Sequence, residues 1–397
     1  MDKIVLTILL SVLGSYTVNA VDLYPGDQTI VYCKPIVPVP TPAPTPIPTP
    51  VPTPTPTNTP IVFTNAVEWP SSFRPYGDTS PWNTFLPDNA KKYIDSDIII
   101  ANTFPTQPAR STVMRTSEYG NYDYGHPIYF ASNTDPVLNT KCTLYCGGVI
   151  PAQIRVPAKA RPAGGGDSHM AIVQPDGTEI DFWGVSKQTG DWISGQTISV
   201  LSGTACGNFY TGSGFASNSA TAGNACLAGG IVRASELQSG KINHALFVVI
   251  NCTDRNIGLY PSPPGGGGIR CSSTSEQAPL GARLQLTLTD AQIDDLNVSV
   301  WQKTLLHAMH RYGAYVMDTR GGSSNTSLLE VSMKEDSQPY ISWNQFVPMD
   351  VLAKSWGWTP VTISGTTEPR YFSTDNWGID LGRYTIIVDP CYAKGTC

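Results

Sequence analysis

An all-β fold of the β-sandwich or jelly-roll kind, with one or two short helices and long loops, is predicted by three features of the sequence. Short runs rich in β-branched and aromatic residues recur through the body of the chain, bounded by Gly, Pro, Asn or Asp. Only 14% of residues are charged while the chain holds 36 glycines and 34 prolines, a loop-rich composition. Helical spacing is confined to Val300–Arg311, which Gly313 stops, and to a shorter run, Met349–Ser355.

The chain divides by composition. Residues 1–20 carry a short apolar run, Ile4–Leu13, and a small-residue exit, Val18-Asn19-Ala20, and so predict a cleavable secretory signal. That run is too short to span a bilayer, which takes about twenty apolar residues. No later run is longer, so membrane insertion is not expected and the mature protein is expected outside the cytosol. A short segment, 21–33, precedes a Pro/Thr-rich linker, 34–64. Its prolines lack backbone donors and favour an extended polyproline stalk. Residues 65–397 are expected to form one β-rich domain, with strands over Val149–Val156, Met170–Gln174, Thr178–Trp183, Thr197–Leu201, Ala245–Asn251, Leu284–Leu288, Ala314–Met317 and Thr385–Val388.

Nine cysteines fit an oxidising compartment. Eight of them fall into close sequence pairs: Cys142/Cys146, Cys206/Cys226, Cys252/Cys271 and Cys391/Cys397. Cys33 is left over at the head of the stalk, a candidate for an intermolecular disulfide or a free thiol. The net charge of −6, with no basic stripe, argues against nucleic acid and anionic membranes as partners.

The stretch Gly164–Gly184 is the most informative. Pro175-Asp176-Gly177 is a tight-turn signal between two alternating runs. A hairpin there pairs Ala171 with Asp181 and His169 with Trp183. Met170, Ile172, Ile180 and Phe182 then share an apolar face, and Asp167, His169, Glu179, Asp181 and Trp183 share the other. If the second face lines a groove, it presents the two carboxyl groups that glycoside hydrolysis requires. The catalytic candidates are therefore Asp167, Glu179, Asp181 and His169. Trp183 offers a stacking face for a sugar ring. His244, Arg233, Arg283 and Tyr312 are candidates for binding substrate; an arginine with a histidine base and a phenol would also suit β-elimination from an acidic sugar. Asp167, His169 and His244 form an alternative metal-ligand set, but no cysteine-histidine spacing supports a metal, and no cofactor is expected. His307 and His310 are read as helix-surface residues. Sequons begin at Asn251, Asn297 and Asn325.

Several ordered blocks resemble a family of secreted, mostly bacterial proteins of uncharacterised function. They are Tyr76-Gly77-Asp78-Thr79-Ser80-Pro81-Trp82-Asn83, Gly166-Asp167-Ser168-His169-Met170, Gly230-Ile231-Val232-Arg233 through Ile242-Asn243-His244-Ala245-Leu246, Leu280-Gly281-Ala282-Arg283-Leu284, and His310-Arg311-Tyr312-Gly313. The resemblance implies one large domain over roughly 73–320 and carries no reaction with it. The family's Trp-Pro-Ala-Arg-His-like segment is replaced here by Tyr260-Pro261-Ser262-Pro263-Pro264. Locally, Glu179-Ile180-Asp181-Phe182 resembles the start of the Glu-x-Asp-x-x-Glu strand of laminarinase-type retaining glycosidases. That likeness implies a jelly roll, a Glu179 nucleophile and an orienting Asp181, but the acid/base position is Gly184. The expected function is a secreted carbohydrate-active enzyme, most simply a glycoside hydrolase on an extracellular or cell-wall polysaccharide. The alternatives are a non-catalytic glycan- or wall-binding module and a polysaccharide lyase.

Overall fold

The computed structural model describes residues 74–104, 114–115, 125–186, 188–254, 257–264, 266–271, 276–319, 329–330, 349–361, 371–374 and 379–397. The expected signal segment, the Pro/Thr-rich segment, Cys33 and the Asn325 sequon lie outside the described residues. The chain divides into two units, Met1–Pro54 and Thr55–Cys397, and everything described belongs to the second.

Along the chain, α1 (Ser96–Thr103) and β1 (Met114–Arg115) precede β2 (Ile128–Phe130), β3 (Val137–Tyr145), β4 (Gln153–Arg155), β5 (Met170–Val173), β6 (Thr178–Trp183) and β7 (Thr197–Asn208). Then come α2 (Ala234–Ser239), β8 (Leu246–Ile250), β9 (Arg283–Leu286), α3 (Asp290–Asp294), α4 (Val300–Arg311) and β10 (Ala314–Thr319). The last are β11 (Leu329–Glu330), α5 (Met349–Ser355), β12 (Thr359–Val361), β13 (Tyr371–Thr374), α6 (Leu381–Tyr384), β14 (Thr385–Ile387) and α7 (Cys391–Lys394). The strands form a six-stranded sheet in the order β2-β5-β6-β7-β3-β4, a five-stranded sheet in the order β11-β8-β10-β9-β14, and a small sheet β1-β13-β12.

The protein is thus mostly sheet with short helices, as composition predicts, but both large sheets are mixed and neither closes into a barrel. The pairs β2/β5, β3/β7 and β8/β10 are parallel. Helices also outnumber the one or two expected, because α1, α2, α3, α6 and α7 are too short to show a period. Helix α4 has the predicted limits. Ser299 opens it, its N–H donating to Gln302 Oε1 at 2.8 Å, and Gly313, at φ +77°, ends it.

Strand alternation separates three apolar clusters. Phe247 and Val249 of β8 and Tyr315 and Met317 of β10 pack with Ala171 and Val173 of β5, joining the two large sheets. Val248 and Ile250, with Ala314 and Val316, pack on the opposite side against Leu305, Leu306 and Met309 of α4. Met170 and Ile172 of β5, Ile180 and Phe182 of β6, and Ile198 and Val200 of β7 form the third. The 76–83 segment belongs to this framework: Trp82 is 1% exposed and stacks on Phe215 with centroids 5.1 Å apart. Asn83 Nδ2 donates to the carbonyls of Pro75 and Gly77 at 2.8 and 3.0 Å.

All four nearest-neighbour cysteine pairs are disulfides. No helix among the described residues is long and apolar enough to cross a membrane.

Candidate functional site

Over β5 and β6 the hairpin has the register that the sequence predicts, while the expected His169–Trp183 pair lies beyond the paired stretch, which starts at Met170 opposite Phe182. Gly177 N–H donates to Gln174 O, and Gln174 N–H to Thr178 O, both at 2.8 Å. Gly177 takes φ +86°, the left-handed position of a three-residue turn. Ala171 lies opposite Asp181 and Met170 opposite Phe182. Beyond them Gly184 N–H donates to Asp167 O at 2.7 Å.

The second face is not a groove. Glu179 and Asp181 are both 0% exposed, and His169 is 2% exposed. The segment after β7, tied to that strand by Cys206–Cys226, lies across them. Ala228 N–H donates to Glu179 Oε1 at 3.1 Å, and the Tyr76 hydroxyl to Oε2 at 2.8 Å. Leu227 N–H donates to Asp181 Oδ2 at 2.7 Å, and the Cys206 sulfur rests 3.0 Å from the same oxygen. His169 Nε2 donates to Ala220 O at 3.1 Å. His126, edge-on to His169, donates from Nδ1 to Leu227 O at 3.0 Å.

Burial pushes the Glu179 carboxyl up to about 7, against the opposing pull of hydrogen bonds from Tyr76, Ala228 and Asp181. Burial, then the charge of Glu179, raises Asp181 well above the carboxylate range. The two buried carboxyls titrate as a pair that holds its protons to higher pH than exposed carboxyls do. These groups fasten the 220–228 segment to the sheet. The expectation that Glu179, Asp181 and His169 face solvent as catalytic groups is therefore corrected: a hairpin's alternation says which residues share a face, not what later covers it.

Most of the expected substrate-binding residues are also internal. Arg233 and His244, 1% and 3% exposed, flank Glu236. Arg233 Nη2 lies 2.8 Å and His244 Nε2 3.1 Å from Glu236 Oε1, and the Arg233 backbone N–H donates to Oε2 at 2.9 Å. Burial pushes the Glu236 carboxyl up, but the charges and hydrogen bonds of Arg233 and His244 outweigh it and hold the group at about 2. This triad sets the start of α2 against the strand that follows it. Arg283 donates to Tyr312 O from Nε at 2.8 Å and to Thr84 O at 2.5 Å, with its guanidinium over the Tyr315 ring. Tyr312 is 3% exposed and stacks under Phe85. The alternative metal-ligand set does not assemble, since His244 bonds Glu236 and Ala245 O while His169 bonds Ala220 O. The group that does converge among the described residues is Asp181, Cys206 and Cys226, whose sulfurs are bonded to each other. His310 is buried and donates from Nδ1 to Leu286 O, in contrast to the expected surface position. Asn297 is exposed, whereas Asn251 is 7% exposed.

Two of the expected residues reach the surface. Trp183 and Asp167 are half-buried, and the Trp183 indole N–H donates to Asp167 Oδ1 at 3.1 Å. A third group, not expected from the sequence, joins them. Tyr145, at the end of β3, is 62% exposed, with its ring centroid 5.9 Å from that of Trp183 at an interplanar angle of 38°. Trp183 and Tyr145 both pair with Ser202 of β7, one from each side. The small serine leaves room for the two rings to lean together. Leu144 and Val149, close by in the chain, are exposed, and the side chain of exposed Asn218 lies against Gly147. The result is a partly open aromatic pair edged by the Asp167 carboxylate, with the Asn218 carboxamide beside Gly147, two residues on from Tyr145; these polar groups are suited to accept and donate hydrogen bonds to hydroxyls. The sequence signal for Tyr145 was weak: Asn139, Thr140, Lys141 and Thr143 make β3 look like a loop.

Compared with protein-family models, curated proteins and solved structures, the chain matches none.

Proposed function

We propose that this protein is an exported, non-catalytic glycan-binding module that engages an extracellular or cell-wall polysaccharide through the Trp183–Tyr145 platform. The observation that carries the reading is the exposed Tyr145 ring beside the half-buried Trp183 ring, with Asp167 bonded to the indole and Asn218 close by at Gly147. Sugar rings present apolar C–H faces and equatorial hydroxyls, and such a surface meets both: aromatic faces for the first, a carboxylate and an amide for the second. Asp167 is the charged side chain bonded into the platform, so the ligand class is a neutral or amino sugar rather than a uronate. Four disulfides and the Pro/Thr-rich segment ahead of the domain fit a protein displayed outside the cytosol.

Hydrolysis is the weaker reading because it needs two carboxyl groups, and of the three candidates only Asp167 reaches the surface while Glu179 and Asp181 are sealed from any chain of sugars. A lyase is weaker for the same reason at His244 and Arg233. The test is co-sedimentation of the full chain with cellulose, chitin, β-1,3-glucan and starch, with released reducing ends measured in the same tubes. Binding to one of these without turnover is expected. Trp183→Ala should weaken it about 30-fold, the loss of roughly 2 kcal/mol typical of an aromatic anchor. Turnover that disappears in Glu179→Gln would replace this reading with the hydrolase.

A further inference from the structure

We infer that the Cys142–Cys146 disulfide is the device that keeps Tyr145 on the ligand-binding face, by locking one extra residue into β3; this rests on the glycan-binding reading above. Strands β3 and β7 run parallel and in step from Asn139 opposite Thr197 to Cys142 opposite Val200. The next pair is Tyr145 opposite Ser202, so three steps along β3 match two along β7. The extra residue makes a bulge. Thr143 Oγ1 donates to Val200 O at 2.9 Å within it, so a side chain takes up an acceptor that the disturbed ladder leaves.

The bulge decides which way Tyr145 points. Side chains alternate along a strand, so one residue of slip moves every following side chain to the other face. In an uninterrupted ladder Leu144 would lie opposite Ser202 and Tyr145 opposite Gly203. Tyr145 would then leave the face that carries Trp183, and an aliphatic chain would take its place beside the indole.

Burial does not hold this register. Lys141 and Thr143 through Gly147 are all exposed, and β4 covers only Val137–Asn139 of the neighbouring edge. The disulfide closes a separation of four residues around the bulge, with Cys142 before it and Cys146 after Tyr145. The next backbone anchor comes at Val149, whose carbonyl accepts from Ala205 N–H at 2.8 Å. A short covalent ring thus supplies the register that packing elsewhere supplies. Its members act as positioning residues and touch no ligand.

The test uses three full-length proteins: wild type, Cys142→Ser/Cys146→Ser, and the same double variant with Thr143 deleted. The deletion removes the extra residue and places Tyr145 opposite Ser202 in a regular ladder that needs no clamp. Two readouts are taken: binding to whichever polysaccharide of the panel the wild type binds, and amide hydrogen exchange by mass spectrometry. In the serine variant, binding should fall about tenfold, the order expected for losing one ring of an aromatic pair. Exchange should speed within 142–149 and not in β5 or β8. Deleting Thr143 should restore binding. Wild-type binding by the serine variant, unchanged exchange over 142–149, or no rescue by the deletion would each overturn the inference. Should the deletion variant not fold, exchange and binding of the serine variant still decide it. If the wild type binds none of the panel, the glycan-binding reading falls instead, and the exchange comparison alone judges the clamp.

Discussion

Tyr76 and Glu179, 103 residues apart in the sequence, meet in a buried hydrogen bond of 2.8 Å. The phenol belongs to the segment leading into Trp82 and the carboxylate to β6, so this bond ties the 76–83 segment to the six-stranded sheet. Tyr76→Phe removes one oxygen and leaves Glu179 Oε2 dry. A buried acceptor stripped of its donor costs about 1–3 kcal/mol, more when it is charged. Urea unfolding at pH 7.5 should show a loss in that range with an unchanged m-value. The same variant at pH 5, where Glu179 is protonated and makes fewer demands, should lose less.

The carboxyl pair predicts that stability falls as pH rises through neutrality. Glu179 is raised to about 7 in the folded protein, and Asp181 is raised as well. In the unfolded chain both return to ordinary values near 4. A folded value above the unfolded one means that protons bind more tightly in the native state, so the contribution is complete below about pH 4 and is lost as pH rises through about 7. Glu236 acts in the opposite sense: held at about 2, it contributes above the ordinary glutamate value and loses that contribution as pH falls towards 2. The thermal midpoint should therefore peak in mildly acid buffer and decline between about pH 5 and 8. Glu179→Gln should flatten the alkaline limb and leave the acid limb in place. A midpoint that is level or rising from pH 5 to 8 in the wild type would contradict the buried pair.

The hairpin shows what local pattern can and cannot convey. Its turn, its register and the membership of both faces were legible, because Pro175-Asp176-Gly177 and the period-two alternation are local properties. Its environment was not. The cover over Glu179 and Asp181 comes from residues 220–228, and nothing near position 180 announces them. The only sequence trace is Cys206, bonded to Cys226 beside Asp181. Arg233, His244 and Arg283 misled for a related reason. Scarce charges in a weakly charged chain look like ligand-binding groups, yet here they satisfy Glu236 and the loop carbonyl of Thr84. Tyr145 was missed because β3 borrows its strand character from parallel pairing with β7, a contact between distant segments. Trp183 was found because its place in the hairpin alone set its face.

The Arg233–Glu236–His244 cluster should matter for folding and not for ligand. Arg233→Ala would leave Glu236 fully buried with half its compensation gone. Breaking one partner out of a buried ion pair costs about 3–5 kcal/mol, a large part of a domain's stability. Arg233→Met, with Glu236→Gln in the same chain, removes both charges and should recover much of that loss. Chemical denaturation of the three proteins measures the difference. Polysaccharide binding, assayed below each protein's unfolding midpoint, should stay at the wild-type level, since Arg233, Glu236 and His244 are buried and bond one another. A binding defect in the double variant with normal stability would return Arg233 and His244 to the ligand site.

Gly177 tests the hairpin on which the other arguments stand. Its φ of +86° is a conformation that residues with a Cβ adopt only with strain, and an added Cβ would lie 2.9 Å from Asn208 Nδ2 and 3.1 Å from the Tyr210 ring. Gly177→Ala should destabilise the protein by about 1–2 kcal/mol from backbone strain, plus whatever the Asn208 side chain loses in moving. Asn208 Oδ1 accepts from the N–H groups of Tyr210 and Thr211, so its displacement should loosen the turn that carries the chain away from β7. Hydrogen exchange should rise first at residues 174–178 and 208–212, with β8 and β10 unaffected until global unfolding. Gly177→Asn, which tolerates a left-handed backbone better, should fall between alanine and wild type. An alanine variant as stable as the wild type would mean that the turn is of another type and that the register of Asp181 against Ala171 must be redrawn.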